Sequence, residues 1–190
     1  MATDLISRRP THERDAWWMV ATTTMGALTA ATFRCRVGGL AHVPTHGGAL
    51  LAYNHLSVLD AVFVGVPIGR MGRMLRCFAL AEDFERPLLG PALRKVRAIP
   101  IRRGAGDWDA LRELAGVVES GWLGGIAPEG TVGTGPELAP IQKGAARIAL
   151  LAGAPVVPVG IWGTQHRWGR TARGSTARSG RPSASRSVRR

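Results

Sequence analysis

The sequence predicts an α/β fold with a mixed central sheet flanked by helices and an N-terminal membrane-associating helix. Beyond the linker VPTHGG, residues 43–48, short apolar runs alternate with longer runs of helical periodicity, which is typical of layered α/β proteins. Several of the short runs are apolar at every position, as in central strands that helices cover on both faces. A length of 190 residues suits one such domain with its own hydrophobic core.

The N-terminal segment, residues 1–40, contains an uncharged stretch at positions 16–33 that predicts a membrane-associating helix. Trp17 and Trp18 lie at its margin, and tryptophan rings favour the headgroup level of a bilayer. The stretch has 18 residues and includes five threonines, so it is short and only moderately apolar for a membrane span. A helix lying in the membrane interface, or one packed on the domain, is an equal alternative.

The folded domain is expected over residues 41–168. Leu111, Leu114 and Val118 recur at helical spacing after the glycines at 104 and 106, so a helix is predicted there. Residues 143–151 are rich in alanine and precede Gly153, which is the usual glycine stop of a helix. Five apolar runs are predicted to be strands: 49–53, 74–78, 98–101, 123–127 and 156–162.

The positive charge is concentrated at the C-terminus. The formal net charge is +12, and residues 169–190 contribute seven arginines and no acid. This segment has almost no large apolar residue, so it is expected to be a disordered tail. Taking its seven charges from the total leaves about +5 on residues 1–168, an excess that suits an anionic lipid or a phosphorylated substrate. Cys35 and Cys77 lack the spacing of a zinc site or a disulfide framework, so no metal is expected and a cytosol-facing location fits.

A histidine and an aspartate follow the first predicted strand. The chain reads NHLSVLD at residues 54–60, so His55 leaves the strand and Ser57 is placed to cap a helix whose third residue is Asp60. A carboxylate beside a loop histidine holds one imidazole tautomer and leaves the other nitrogen free to accept a proton. The same spacing also fits a plain capping box next to an ordinary loop histidine, and spacing by itself does not decide between the two.

Four short motifs occur in order along the chain: NHLSVLD at 54–60, AIPIRRG at 98–104, APEGT at 127–131 and APVVPVGIWGTQ at 154–165. They resemble the four motifs of the glycerolipid acyltransferases, the family of 1-acylglycerol-3-phosphate acyltransferases, whose first motif has Asn-His, four residues and Asp. The four stretches span most of the expected domain. On this resemblance, residues 41–168 are identified as an acyltransferase domain.

The resemblance implies that His55 and Asp60 are catalytic. His55 would remove the proton of the acceptor hydroxyl as that hydroxyl attacks a thioester carbonyl, and Asp60 would stabilise the imidazolium. Ser57 is then not a nucleophile, and no acyl-enzyme need form. The resemblance also implies that the second and third motifs hold the phosphate of the acceptor. It assigns substrate binding to Asn54, Arg103, Glu129, Gly130 and Thr131.

One motif position departs from the family pattern. Val132 follows Glu-Gly-Thr where relatives usually carry arginine, so a guanidinium that binds phosphate in bidentate fashion is missing. Lys143, at a predicted helix start, is a further substrate-binding candidate that would supply a compensating charge, and a solvated lysine is the alternative. The third motif therefore leaves more than one acceptor open.

The resemblance implies an enzyme of phospholipid synthesis at the cytoplasmic face of a membrane. Its substrates would be 1-acylglycerol-3-phosphate and an acyl thioester, either acyl-CoA or acyl carrier protein, and no cofactor would be needed. The alternatives are the same chemistry on another acceptor, such as glycerol-3-phosphate or another lysolipid or glycolipid, and an inactive lipid-binding relative. Nucleic acid is not an expected partner, because the arginine-rich tail has no aromatic residue for base stacking.

Overall fold

A computed structural model of the protein describes residues 16–102, 104, 106–133 and 137–165. The predicted tail at 169–190 lies outside the described residues. Within the described ranges the helices and strands follow in this order: α1 (Ala16–Thr32), β1 (Ala49–Tyr53), α2 (Asp60–Arg70), β2 (Leu75–Leu80), α3 (Leu89–Lys95), β3 (Ile99–Ile101), α4 (Trp108–Glu119), β4 (Leu123–Ile126), α5 (Gly144–Ala152) and β5 (Val156–Val159). Short 3-10 helices lie at Leu40–His42 and Ala81–Glu85.

The five strands form one sheet in the order β3-β2-β4-β1-β5, and each pairing between neighbours is parallel. The α/β prediction is confirmed, but the prediction of a mixed sheet is wrong for the described part of the chain. The reason is the connections between strands. Each strand from β1 to β4 is followed by a helix before the next strand, and such a crossover returns the chain to the same end of the sheet.

Helices cover both faces of the sheet, as strands that are apolar on both faces predict. Leu50 and Leu51 of β1 are both buried and point to opposite faces, since side chains alternate along a strand. Leu51 lies in a core cluster with side chains of α1 and α2, and Leu50 in one with α4 and α5. The helical spacing of Leu111, Leu114 and Val118 is confirmed, because all three are buried in the cluster of Leu50.

The N-terminal helix is confirmed as α1, and it packs against α2. Its buried positions recur every fourth residue, at Trp18, Thr22 and Gly26. The indole of Trp18 donates a hydrogen bond to the carbonyl of Arg73 at 2.8 Å, and a Cβ at Gly69 of α2 would collide with Thr22. Small residues therefore bring the two helices close together. In the part of the chain that the structure describes, no helix is both long enough and apolar enough to cross a bilayer.

The side of α1 that does not face α2 is uncharged and largely apolar. Trp17, Met19, Val20 and Leu28 are each more than half exposed, and the helix contains no charged residue. The predicted association of this segment with a membrane stays a prediction.

Candidate active site

The candidate site lies at the carboxyl edge of the sheet, where the loops after β1 and β4 meet. These two strands are parallel neighbours, with Ala52 opposite Ile126, so the chain leaves the sheet at Asn54 and at Ala127 side by side. Open parallel sheets bind their ligands at this edge. The two loops carry the first and third sequence motifs.

His55 and Asp60 form a hydrogen-bonded pair in the loop after β1. The Nδ1 atom of His55 lies 3.0 Å from Oδ2 of Asp60. The same carboxylate oxygen accepts the backbone N–H groups of Leu56 at 2.6 Å and Ser57 at 2.7 Å. Asp60 is fully buried, whereas 24% of the His55 side chain is exposed. The aspartate is thus a fixed internal acceptor, and the histidine is the member of the pair that a substrate is able to reach.

The loop differs in detail from the predicted capping box. Helix α2 begins at Asp60 itself, with Leu59 at the N-cap position and no side-chain capping bond, so Asp60 is not the third residue of the helix. Its carboxylate turns back to the N–H groups that precede the helix. A negative charge at a helix N-terminus is favourable because the unpaired N–H groups there carry partial positive charge. The aspartate therefore stabilises the turn and orients His55 at the same time.

This geometry suits general-base catalysis. With Nδ1–H donating to the carboxylate, the neutral imidazole keeps Nε2 as its proton acceptor. The buried carboxylate stabilises the imidazolium that forms after proton transfer. Ser57 is fully buried, so its hydroxyl is not placed to meet an acyl donor as a nucleophile.

The third motif is joined to the first through Glu129. Its carboxylate accepts the N–H of His55 at 2.8 Å and the N–H of Ala139 at 3.0 Å. The N–H of Gly133 in the same loop donates to the carbonyl of His55 at 2.6 Å. The loop after β4 therefore binds both the backbone N–H and the backbone carbonyl of His55, the candidate base. Gly130 follows with φ of 68°, a left-handed conformation that glycine adopts without strain.

The remaining predicted substrate-binding residues occupy different places. The amide of Asn54 is paired with the backbone of Ile161, donating to its carbonyl at 2.9 Å and accepting its N–H at 2.6 Å. Strand β5 ends at Val159 and not at residue 162 as predicted, because its partner β1 ends at Tyr53, opposite Val159. Thr131 is exposed in the third-motif loop, and Lys143 is exposed at the N-terminal end of α5. Arg103 lies outside the described residues, so its predicted role stays a prediction.

Sequence reasoning missed Tyr53 and Cys77 beside the pair. The Tyr53 ring lies edge to face with the His55 ring, with 6.3 Å between centroids, and the Cys77 side chain packs against the core cluster that contains Tyr53. Burial raises the pKa of Tyr53 well above its usual value, and burial raises the pKa of Cys77 to about 12, so both stay neutral near pH 7. The sequence contained one sign of the contact between Tyr53 and His55: the two residues are two positions apart, and alternate residues of a strand share one face.

A parallel α/β sheet that presents a carboxylate-bound histidine beside a Glu-Gly loop is an arrangement of the acyltransferase class. The chain belongs to the Acyltransferase family, whose family model matches residues 34–162. This match includes both loops of the candidate site.

Several of the similar proteins are named 1-acyl-sn-glycerol-3-phosphate acyltransferases. The 1-acyl-sn-glycerol-3-phosphate acyltransferase of Bacillus subtilis is 28% identical over 122 residues, which cover 64% of this chain and 59% of that protein. The protein of the same name from Limnanthes douglasii is 34% identical over 125 residues, which cover 63% of this chain and 43% of that protein. This chain therefore spans less than two thirds of the length of either relative.

A solved structure has the same fold. The crystal structure of the 1-acyl-sn-glycerophosphate (LPA) acyltransferase PlsC from Thermotoga maritima superposes with a TM-score of 0.58. The match covers 83% of this chain and 78% of that chain, at 19% sequence identity. At this identity the likeness concerns the fold, and it includes the parallel sheet that places the two loops side by side.

Proposed function

We propose that the protein is an acyltransferase that moves a fatty acyl group from a thioester donor to the free hydroxyl of 1-acylglycerol-3-phosphate, a step of phospholipid synthesis. The observation that carries the proposal is the pairing of a partly exposed His55 with a fully buried Asp60 at 3.0 Å. The names of the similar proteins support the acceptor. The donor is acyl-CoA or acyl carrier protein, and the chemistry is the same for both.

The proposed reaction proceeds by direct transfer. Nε2 of His55 accepts the proton of the acceptor hydroxyl while the hydroxyl oxygen attacks the thioester carbonyl. Asp60 stabilises the imidazolium during this step. The tetrahedral intermediate then expels the thiolate, which takes the proton back from His55, so the products are an ester and a free thiol. No covalent bond to the enzyme is formed or broken.

The groups proposed to bind the acceptor phosphate differ from the family pattern, since Val132 stands where the family usually has arginine. The second-motif loop follows β3 and is held by Asp107, whose carboxylate accepts the N–H groups of Arg102 at 3.1 Å and Ala110 at 3.2 Å. Positive charge from this loop, which includes Arg103, and from Lys143 supports binding of an anion. The Val132 position favours, as a second candidate, the same reaction on a lysolipid without a terminal phosphate.

Association with a membrane surface is the second part of the proposal. The acceptor and the long-chain donor are lipids, and α1 exposes Met19, Val20 and Leu28 on an uncharged face. Lys95 of α3 lies over the ring of Trp17 at 3.5 Å, so a cation stands next to the exposed aromatic side chain. An apolar face beside positive charge suits an interfacial helix on anionic lipid. We place this surface at the cytoplasmic face.

Acyl transfer is tested with the two donors and a set of acceptors. Thiol release is measured from a long-chain acyl-CoA and from acyl carrier protein, with lysophosphatidic acid, glycerol-3-phosphate or lysophosphatidylcholine as acceptor. Loss of a general base costs about 10²–10⁴ in rate, so His55→Ala should fall by that factor. His46→Ala is the matched control, because His46 is exposed and precedes β1 at the opposite edge of the sheet. Turnover that survives in His55→Ala, or that falls equally in His46→Ala, would contradict the assignment.

Membrane binding is tested by co-sedimentation with vesicles of phosphatidylglycerol or phosphatidylcholine. Leu28→Asp should reduce binding, because it places a charge on the apolar face of α1. Leu150→Asp is the control, since Leu150 is 82% exposed on α5, which covers the other face of the sheet. Equal binding by both variants would argue against α1 as the docking surface.

A further inference from the structure

We propose that Glu129 is a positioning residue that holds the catalytic histidine in place, and that it does not bind the acceptor. The inference deepens the proposed function and rests on it for the kinetic part of the test. Glu129 is only 4% exposed. One carboxylate oxygen accepts the N–H of His55 and the other accepts the N–H of Ala139. Both oxygens are therefore occupied by the protein itself.

Glu129 makes one of three contacts that fix the position of His55. His55 lies in a loop and not in a strand or helix, so no regular backbone ladder fixes its peptide groups. Glu129 binds its N–H, Gly133 binds its carbonyl, and Asp60 binds its side chain. These three contacts together determine where Nε2 points. Two of them come from the loop after β4, which lies more than seventy residues along the chain.

The loop that supplies these contacts is itself held at both ends. The N–H of Gln142 donates to the carbonyl of Pro128 at 2.8 Å, which joins the start and the end of the loop after β4. Ala139, held by Glu129, lies near the far end of it. The buried carboxylate of Glu129, at the start of the loop, thus binds both Ala139 near its end and the candidate base His55.

Charge argues against direct binding of the acceptor by Glu129. The acceptor phosphate is an anion, and two like charges within a few ångströms repel each other strongly at a site of low dielectric constant. A buried carboxylate that is satisfied by two N–H donors has instead the arrangement of a structural acceptor, in which its hydrogen bonds repay the cost of burial. Gly130 and Thr131 of the same loop are exposed and accessible to an acceptor, whereas the Glu129 side chain is bound to the backbone of His55.

Glu129→Gln tests this role with little change in shape. The terminal amide has one acceptor oxygen and one NH2 group, so one of the two N–H groups loses its partner. Misplacement of a catalytic group by a fraction of an ångström to one ångström costs up to about 10²-fold in rate. We expect kcat to fall by about 10- to 100-fold, while the KM for the acceptor is unchanged. Glu137→Gln is the matched control, because Glu137 is an exposed carboxylate in the same loop, and it should leave both constants unchanged.

A second measurement does not depend on activity. The imidazole NMR signals of His55, assigned with the His55→Ala variant, should shift or broaden in Glu129→Gln and stay unchanged in Glu137→Gln. If wild-type turnover is absent with every substrate, the proposed function fails, and the NMR comparison still decides the positioning role. If Glu129→Gln does not fold, Glu129→Asp is used in its place, because the shorter aspartate side chain is unable to reach both N–H donors. The expected result is the same: a lower kcat with an unchanged KM for the acceptor. A rise in acceptor KM with unchanged kcat, or unaltered His55 signals in the variant, overturns the proposal.

Discussion

Replacing Asp60 by asparagine separates the charge of this residue from its hydrogen bonds. The three donors around it, from His55, Leu56 and Ser57, all meet one oxygen, Oδ2. The other oxygen, Oδ1, is buried without a hydrogen-bond partner among the described residues. Asparagine has the same shape, so its carbonyl oxygen fits the place of Oδ2 and its NH2 group the place of Oδ1. The variant should keep the three hydrogen bonds and lose only the negative charge.

The expected magnitudes differ between activity and stability. Without the carboxylate the imidazolium of His55 is not stabilised, so kcat should fall by about 10²–10⁴-fold. Asp60→Ala would in addition leave two buried backbone N–H groups without an acceptor, at about 1–3 kcal/mol each, or about 2–6 kcal/mol of folding free energy. Asparagine leaves only its own NH2 group unsatisfied, so its loss should be about 1–3 kcal/mol. The two variants should be similarly inactive and clearly different in stability.

The assay combines kcat at saturating donor and acceptor with denaturant unfolding of the same preparations. Asp109→Asn is the control, because the Asp109 side chain is 88% exposed and lies on α4, outside the loop of Asp60. A rate in Asp60→Asn close to that of the wild type would show that the charge is not used in the reaction. An asparagine variant as unstable as the alanine variant would refute the assignment of the three bonds to a single oxygen.

Three further predictions concern packing, the second-motif loop and the acceptor. Gly69→Ala forces a methyl group against α1, and such overpacking should lower the free energy of unfolding by about 1–3 kcal/mol; an unchanged denaturation midpoint would exclude this close contact. The N–H groups of Arg102 and Ala110 lower the pKa of Asp107 in the folded protein. The charged Asp107 side chain therefore stabilises the fold fully above the ordinary aspartate pKa of about 3.9. This stabilisation is lost as the pH falls through the lower pKa of the folded state. The melting temperature of Asp107→Ala should therefore lie below that of the wild type at neutral pH and converge with it in acid, and a pH-independent difference would contradict this. Val132→Arg restores a phosphate ligand and should lower the KM for lysophosphatidic acid by about 10-fold, with no gain for an acceptor that lacks the phosphate.

Much of the fold was accessible from the sequence because it depends on local patterns. The bounds of β1 were predicted without error, and α5 begins and ends within one residue of the predicted 143–151. Helix α4 contains the three residues, Leu111, Leu114 and Val118, whose spacing predicted it. The direction of the strands was not accessible, since an apolar run has the same composition in a parallel and an antiparallel sheet. The order β3-β2-β4-β1-β5 is likewise a property of the assembled sheet.

In the candidate site, too, the contacts between residues close in sequence were predictable and the contacts between distant residues were not. The pairing of His55 with Asp60 was predicted because only five positions separate the two residues, and one loop brings them together. The bond of Asn54 to Ile161 spans 107 positions and the bond of Glu129 to His55 spans 74, so neither is visible in the residues themselves. Sequence alone suggested substrate binding for both side chains.

The sequence by itself determined the motifs, the apolar periods and therefore the elements and the chemical groups that are available for acyl transfer. The tertiary structure alone decided which of those groups meet. β1 pairs in parallel with β4 on one side and with β5 on the other, and this register brings the third and fourth motifs to the first. The physical reason is that hydrogen bonds between backbone and side chain form wherever the packed sheet places a donor against an acceptor, and that placement depends on contacts far apart in the chain.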